Sequence, residues 1–192
     1  GPAIHAAGLI EGESPFSLRR GIVAASEQAA LDAVDWYAAR GVRTIKLYNS
    51  IKPGWVKPIA AHAHALGMHV SGHVPAFMRA EQVVRDGFDE LTHANQVMLN
   101  FVVRPGDDTR TLVRFERVGA DARTLDLRSD RARAFIRLLR ERKTVVDPTL
   151  AIFESMFTQA QGQPDPGVVA VADHLPVQWQ RRLRVADMDL DG

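Results

Sequence analysis

Three polar residues interrupt short apolar segments where a packed strand would carry aliphatic side chains. They are Lys46 in Thr44-Ile45-Lys46-Leu47-Tyr48, His73 in His69-Val70-Ser71-Gly72-His73, and His93 in Glu90-Leu91-Thr92-His93. Imidazoles and amines carry protons near neutral pH and, when uncharged, donate lone pairs to metals. A single such residue reads as a satisfied core or rim group, because a buried polar side chain needs only a partner. Three on successive strands, at the same relative height, read as a site. The chain contains no cysteine, which excludes disulfides, thiolate metal sites and cysteine nucleophiles. Any metal must therefore be held by His, Asp, Glu or a modified Lys.

The elements that must position these residues follow a βα rhythm. A first β-like run spans Ala3 to Ala7, and a Gly-, Pro- and Ser-rich loop follows. A helix is predicted from Ser26, a suitable N-cap, to just before Gly41, a suitable C-cap. After the segment Thr44 to Tyr48, Pro53 opens a helix whose Trp55, Val56, Ile59, Ala63 and Leu66 fall on one stripe, and Gly67 closes it. His69 to His73 is the next strand, followed by a short helix from about Met78 to Asp86, Gly87, and a strand from Glu90 to His93. Residues 94–128 read as an excursion, with Arg104-Pro105-Gly106-Asp107-Asp108 in it. Ser129 then caps a helix that buries Phe135, Ile136 and Leu139, Thr144 to Asp147 forms a fifth strand, and the rest is helical, with a break at Gly162 to Gly167 and a last region from Val168 to Met188.

Strand alternation sends Ile45 and Leu47 toward covering helices and Lys46 to the opposite side, with Tyr48 the next residue on that side, placed to hydrogen-bond a substrate. In a parallel barrel, catalytic groups project from the C-terminal ends of strands. Five βα-type strands are fewer than the eight of a closed barrel of about 250 residues. The expected fold class is α/β: a partial (β/α)8 TIM-like barrel, parallel, one domain over residues 1–192.

Composition narrows the partners. With 192 residues and 46% hydrophobic content the chain can bury a core. Its 24 Lys and Arg nearly cancel its 23 Asp and Glu, so no long-range field favours nucleic acid or anionic lipid. No apolar run approaches the about 20 residues needed to span a bilayer. No nucleic-acid or membrane partner is expected, and a small molecule is the expected ligand.

The stretch from Gly41 to Asn95 resembles the amidohydrolase superfamily, in particular its imidazolonepropionase-like and prolidase-like branch. Gly41-Val42-Arg43-Thr44-Ile45-Lys46-Leu47-Tyr48, Ala63-His64-Ala65-Leu66-Gly67-Met68-His69-Val70-Ser71-Gly72-His73 and Gly87-Phe88-Asp89-Glu90-Leu91-Thr92-His93 carry the likeness, and Val145 to Leu150 is similar to the family's seventh strand. The intervals between Lys46, His73 and His93 suit one βα unit each. The resemblance implies that the chain covers about strands 3 to 7. It also implies that Lys46 is carbamylated and bridges two divalent metals, zinc being the expected ion, with His73 and His93 as ligands of the second metal. The implied chemistry is attack by metal-activated hydroxide on the carbonyl of an amide-type (C–N) or related bond, in a small or dipeptide-like substrate.

The family's His-x-His pair on strand one and its Asp on strand eight are not in this sequence, so the resemblance implies that the chain holds half of the site. The isolated chain is then expected to lack hydrolase activity and a stoichiometric metal pair, to keep Lys46 as an unmodified amine, and to self-associate through exposed sheet edges. His62-Ala63-His64 does not replace the missing pair, because residues two apart on a helix point in different directions. His5 and His69 are weaker inward candidates, and His174 lies in a helical region. Of the excursion's cations Arg104, Arg110, Arg114 and Arg117, each is either solvated or paired with Asp107, Asp108 or Glu116, or one of them grips a substrate carboxylate. The alternative class is a non-catalytic fragment or binding domain that retains the barrel fold. A doubly wound nucleotide-binding domain ranks below both, since no glycine-rich loop follows a strand and opens a helix.

Overall fold

The computed structural model describes residues 4–164 and 167–185. Within these, one six-stranded parallel sheet has the order β2-β1-β3-β4-β5-β6, with β1 at Ala7–Gly12, β2 at Ile22–Ala24, β3 at Thr44–Leu47, β4 at His69–Gly72, β5 at Glu90–Thr92 and β6 at Val145–Asp147. The helices of this unit are α1 (Glu27–Ala38), α2 (Pro53–Ala65), α3 (Ala80–Asp86), α4 (Ala94–Val102), α5 (Val113–Asp121) and α6 (Asp130–Arg142). The result is a mixed α/β fold with an open parallel sheet, consistent with part of an α/β barrel.

Local chemistry sets the boundaries. Ser26 caps α1 by accepting the Ala29 N–H at 3.1 Å, and Ser129 does the same for α6 through Ala132 at 3.3 Å. Pro53 stands at the start of α2, where its missing N–H removes nothing. The chain leaves α2 and α3 through Gly67 and Gly87, both at positive φ. In β3, Ile45 and Leu47 are fully buried while Thr44 and Lys46 are half-buried, so the alternation expected from the sequence holds. Ile45, Leu47, Val70 and Leu91 from the sheet pack with Val34, Val56, Ile59, Val83 and Phe135 from the helices in one core. Each such side chain, fully buried, stabilises the fold by about 1.5–3 kcal/mol.

Ile136, expected on the buried side of α6, is 49% exposed, and two strand expectations also need correction. The first strand runs Ala7–Gly12 and not Ala3 to Ala7; residues 4–6 are not strand, and Ala3 lies outside the described residues. Glycines at positions 8 and 12 look like loop punctuation, but both are required by close approach. A Cβ on Gly8 would collide with the Tyr37 ring, and one on Gly12 with the Ser50 carbonyl. The second correction is β2, a three-residue strand within a segment whose composition suggests only loop; it pairs in parallel with Ile10, Glu11 and Gly12.

The excursion is built of helices. α4 buries Asn95, Gln96, Leu99 and Asn100, whereas α5 buries nothing fully and is tied to the preceding loop by ion pairs. β6, at the sheet's edge, is exposed at all three positions.

The chain divides into two compact units, Gly1–Pro148 and Thr149–Gly192. The second contains α7 (Leu150–Thr158), a 3-10 turn at Val169–His174 and α8 (Val177–Arg182), with the predicted long last helix broken at Leu175-Pro176 and its end beyond residue 185 outside the described residues. Gln159 ties this unit together, its side-chain N–H group donating to the carbonyls of Gln163 at 3.0 Å and Leu183 at 2.5 Å. No helix among the described residues is long and apolar enough to cross a membrane.

Candidate active site

Parallel pairing aligns the strand ends. Lys46 lies opposite Leu9 and Ser71 in the ladder, and the residues after it continue the pattern: Tyr48 N–H donates to the Ile10 carbonyl at 3.1 Å and His73 N–H to the Leu47 carbonyl at 3.0 Å. His93 N–H donates to the Asp147 carbonyl at 2.7 Å, locking the end of β5 against that of β6. Tyr48, His73 and His93 are thus carried out of the C-terminal ends of β3, β4 and β5. Their rings pack in sequence, Tyr48 and His73 tilted with centroids 4.0 Å apart and His73 and His93 edge-to-face with centroids 4.4 Å apart.

The electrostatics keep the imidazoles neutral. His73 is buried, and desolvation holds it well below the usual imidazole range, reinforced by His93 and by the positive charges of Lys46 and Arg114. His93 is lowered by burial first and then by Lys46, while Asp147 pulls it upward and Arg114 lowers it further. These charged and titratable neighbours therefore sit within electrostatic reach of the two imidazoles. The Nδ1 of His73 has no hydrogen-bond partner, and neither do Thr92 Oγ1, Asn95 Oδ1 and Asn49 Oδ1, all near the same strand ends. Buried polar atoms are rarely left so, and several together at one rim mark a place shaped for a ligand.

His93 carries a further signature. Its φ of 75° and ψ of 126° put a non-glycine residue in a sparsely populated region at the junction of β5 and α4. Such outliers concentrate at functional sites, where surrounding structure over-determines them.

Lys46, Tyr48, His73 and His93 are therefore brought together. His62 and His64 are not part of this group: His62 contacts Asp35 at 2.7 Å, and His64, which is exposed, contacts Asp89 at 2.9 Å. His69, at the opposite end of β4 from His73, lies 3.7 Å from Asp89 and 3.6 Å from Glu90. Among the described residues no group of three or more His, Asp or Glu side chains is arranged to hold an ion. The cluster instead combines two imidazoles, an amine and a phenol. An open groove of about 400 Å³ lies apart from it, lined by Phe77, Arg79, Val103 and Asp107 among others. None of the four cluster residues lines that groove, and the strand-end chemistry outweighs its size in locating the site.

Three further residues belong to the surroundings: Glu11 and Asp147, to which the sequence assigns no role, and Arg114, one of its four candidate cations. Glu11, in β1, is fully buried; its carboxylate accepts the N–H groups of Gly12 at 3.0 Å, Ser50 at 2.8 Å and Leu18 at 3.3 Å, fixing the loop that follows Tyr48. Burial nevertheless raises its pKa above 4.5. An acidic residue inside Leu9-Ile10-Glu11-Gly12 is the same signal that reveals Lys46, hidden by the misplaced first strand. Asp147 ends β6 beside His93, and the charge of Arg114, on α5, acts on both imidazoles.

No family model matches the chain, and no curated protein matches it in sequence. Solved structures do. The bottromycin amidohydrolase aligns with a TM-score of 0.58 and 20% identity over 92% of this chain. At this identity the likeness is one of fold. It spans 35% of the length of that structure. An uncharacterized protein aligns more distantly, with a TM-score of 0.41 and 12% identity over 75% of this chain and 47% of the other.

Proposed function

We propose that this chain supplies part of the active site of a metal-dependent hydrolase acting on amide-type (C–N) or related bonds, of the imidazolonepropionase-like and prolidase-like kind. The observation that carries the reading is the contact of the Tyr48, His73 and His93 rings, with Lys46 on β3, which leads into Tyr48, at successive strand ends. A hydrolase kind of function also accords with the name of the bottromycin amidohydrolase, whose fold is similar.

The residues fit a divalent metal, with zinc the expected ion. His73 is neutral and its Nδ1 is unpartnered, which is the donor state that zinc takes. His73 and His93 would hold the ion, and Lys46, carrying carbon dioxide as a carbamate, would add an anionic oxygen donor. When bound, the ion supplies a Lewis acid for the scissile carbonyl. The chain's own groups do the rest: the Tyr48 hydroxyl hydrogen-bonds the substrate, and the rings of Tyr48 and His73 exclude water from one side of the pocket.

A non-catalytic unit of the same fold is the second reading, favoured by the absence, among the described residues, of three grouped His, Asp or Glu side chains. A zinc titration followed by NMR of the imidazole C2 protons separates the two. On the hydrolase reading zinc perturbs His73 and His93 first and leaves His62 and His64 in place, and the response is lost in His73→Ala. Zinc that moves none of the imidazoles, or moves only His62 and His64, overturns it.

A further inference from the structure

His73 is 7% exposed, and its unpartnered Nδ1 is shut off from solvent. A ligand reaches that atom only if the loops above it part. Three loops lie there: residues 13–21 follow β1, residues 48–52 follow β3 and residues 73–79 follow β4. In the sheet, β3 stands between β1 and β4. The first and third loops are each stitched to the second, since Ser14 Oγ lies 2.8 Å from Ser50 Oγ and the Ala76 N–H donates to the Asn49 carbonyl at 2.9 Å. A link running from the first loop to the third therefore passes across the end of β3, where Tyr48 meets His73.

Arg110, from the excursion after β5, makes such a link. Its guanidinium carbon stands 5.2 Å from the centre of the Phe16 ring, on the first loop, and 5.3 Å from that of Phe77, on the third. Asp108 holds the guanidinium in place through two bonds, from Nε at 2.8 Å and from Nη2 at 2.7 Å. Packing does not account for Phe77. It is 60% exposed in a run, Ser71 to Met78, whose other members are all buried, and its φ of 68° is one that a bulky residue avoids. Strain kept at an exposed position points to function. The excursion, for its part, is tied to itself: the pairs Arg104–Asp121, Arg110–Asp108 and Arg117–Asp107 all close within residues 104–121, and α5 fully buries none of its residues. An outward swing of this segment keeps all three pairs and parts Arg110 from the two rings, with Thr109, buried in a cluster with Val74 and Met78, as a pivot one residue away.

We propose that Phe16, Arg110 and Phe77 form a strap across the mouth of the strand-end cluster, closed in this structure, whose release admits a ligand to His73. Contacts of a cation with an exposed aromatic ring are each worth about a two- to fivefold shift in an equilibrium. Two of them hold the strap shut and still let it open on the timescale of loop motion. The strap belongs to the loops, and it stands whether the cluster hydrolyses its ligand or only binds it.

Carbethoxylation of the full chain by diethyl pyrocarbonate, read residue by residue by mass spectrometry, tests this. The reagent modifies neutral imidazoles, and the exposed His64 serves as the internal reference. Relative to His64, His73 is expected to react about fivefold or more faster in Arg110→Ala, which loses both ring contacts, and about two- to fivefold faster in Phe77→Ala, which loses one. Arg110→Lys keeps a cation and should fall between wild type and Arg110→Ala. The chain has no cysteine, so the pair Phe16→Cys and Phe77→Cys can be bridged by a short bismaleimide, which replaces the strap with a covalent one. His73 in the bridged protein should react more slowly than in the same protein capped with N-ethylmaleimide, and this comparison decides the matter if Arg110→Ala fails to fold. An unchanged His73 rate in a folded Arg110→Ala protein, or a bridged protein that reacts as fast as its capped control, overturns the proposal.

Discussion

Replacing Glu11 tests whether the floor of the site is held by one buried carboxylate. Oε1 accepts both fully buried backbone bonds, from Gly12 at 3.0 Å and Ser50 at 2.8 Å, while Oε2 accepts the longer, partly buried bond from Leu18 at 3.3 Å, and the Ser50 side chain also bonds the carboxylate. Glu11→Ala leaves two buried N–H groups unpaired, at about 1–3 kcal/mol each, and opens a cavity. Loss of a desolvated carboxylate offsets part of this, so the expected net destabilisation is about 2–4 kcal/mol. Glu11→Gln keeps an oxygen in the Oε1 position and sacrifices only the Leu18 bond, for about 1 kcal/mol or less. The two variants also differ in pH dependence. Burial raises the folded pKa of Glu11 above 4.5, so between the unfolded and folded values the native state binds more protons than the unfolded chain. Stability from this group is complete below 4.5 and is lost as pH rises through the folded pKa. The Gln variant should therefore gain on wild type as pH rises through that window. Urea denaturation followed by circular dichroism, at a series of pH values, measures both effects. An Ala variant within about 0.5 kcal/mol of wild type, or a Gln variant as unstable as Ala, would refute the reasoning.

Other substitutions probe the frame. At position 93, Gly should be more stable than Ala by about 1 kcal/mol, since it relieves the backbone strain at φ 75° that Ala retains; denaturation midpoints in the reverse order would show that His93 is not strained. Gly72→Ala should cost about 3 kcal/mol or more, because φ there is 143° and a Cβ would run into the Leu47 carbonyl of the neighbouring strand. A soluble Gly72→Ala protein with an unchanged melting temperature contradicts this. Arg79 donates to the carbonyls of Asn100 at 2.6 Å and Val103 at 3.0 Å, closing the end of α4. Its replacement by Ala should cost about 1.5–3 kcal/mol and speed amide exchange at residues of α4 first, and exchange that rises evenly across the chain argues against a local clamp.

The legibility of the fold depends on what kind of information each element carries. β3, β4 and β5 are readable because a short apolar run, bounded by glycine or proline and broken by one polar residue, suits a strand end far better than a helix or a loop, and their observed ends fall within a residue of expectation. β1 is not, since Gly8 and Gly12 are there for contacts with Tyr37 and Ser50 that lie far away in sequence. β2 has three residues and owes its existence to pairing with β1, which no local pattern announces. The helices α4 and α5 are hidden for a related reason: α4 buries Asn95, Gln96 and Asn100, so its inward face is polar and the hydrophobic stripe that marks a helix is diluted.

The candidate site divides along the same line. Lys46, His73 and His93 announce themselves by being the wrong residue type for their strands, a property of each segment alone. Arg114 does not, because nothing local distinguishes it from Arg104, Arg110 and Arg117; only the fold decides that those three meet Asp121, Asp108 and Asp107 while the fourth turns toward carbonyls of its own loop. That difference has a chemical consequence for the whole cluster. The positive charges of Lys46 and Arg114 help keep His73 and His93 uncharged, which makes the imidazoles donors, and the same charges leave the space between them short of anions. An anion entering that space would answer part of the deficit.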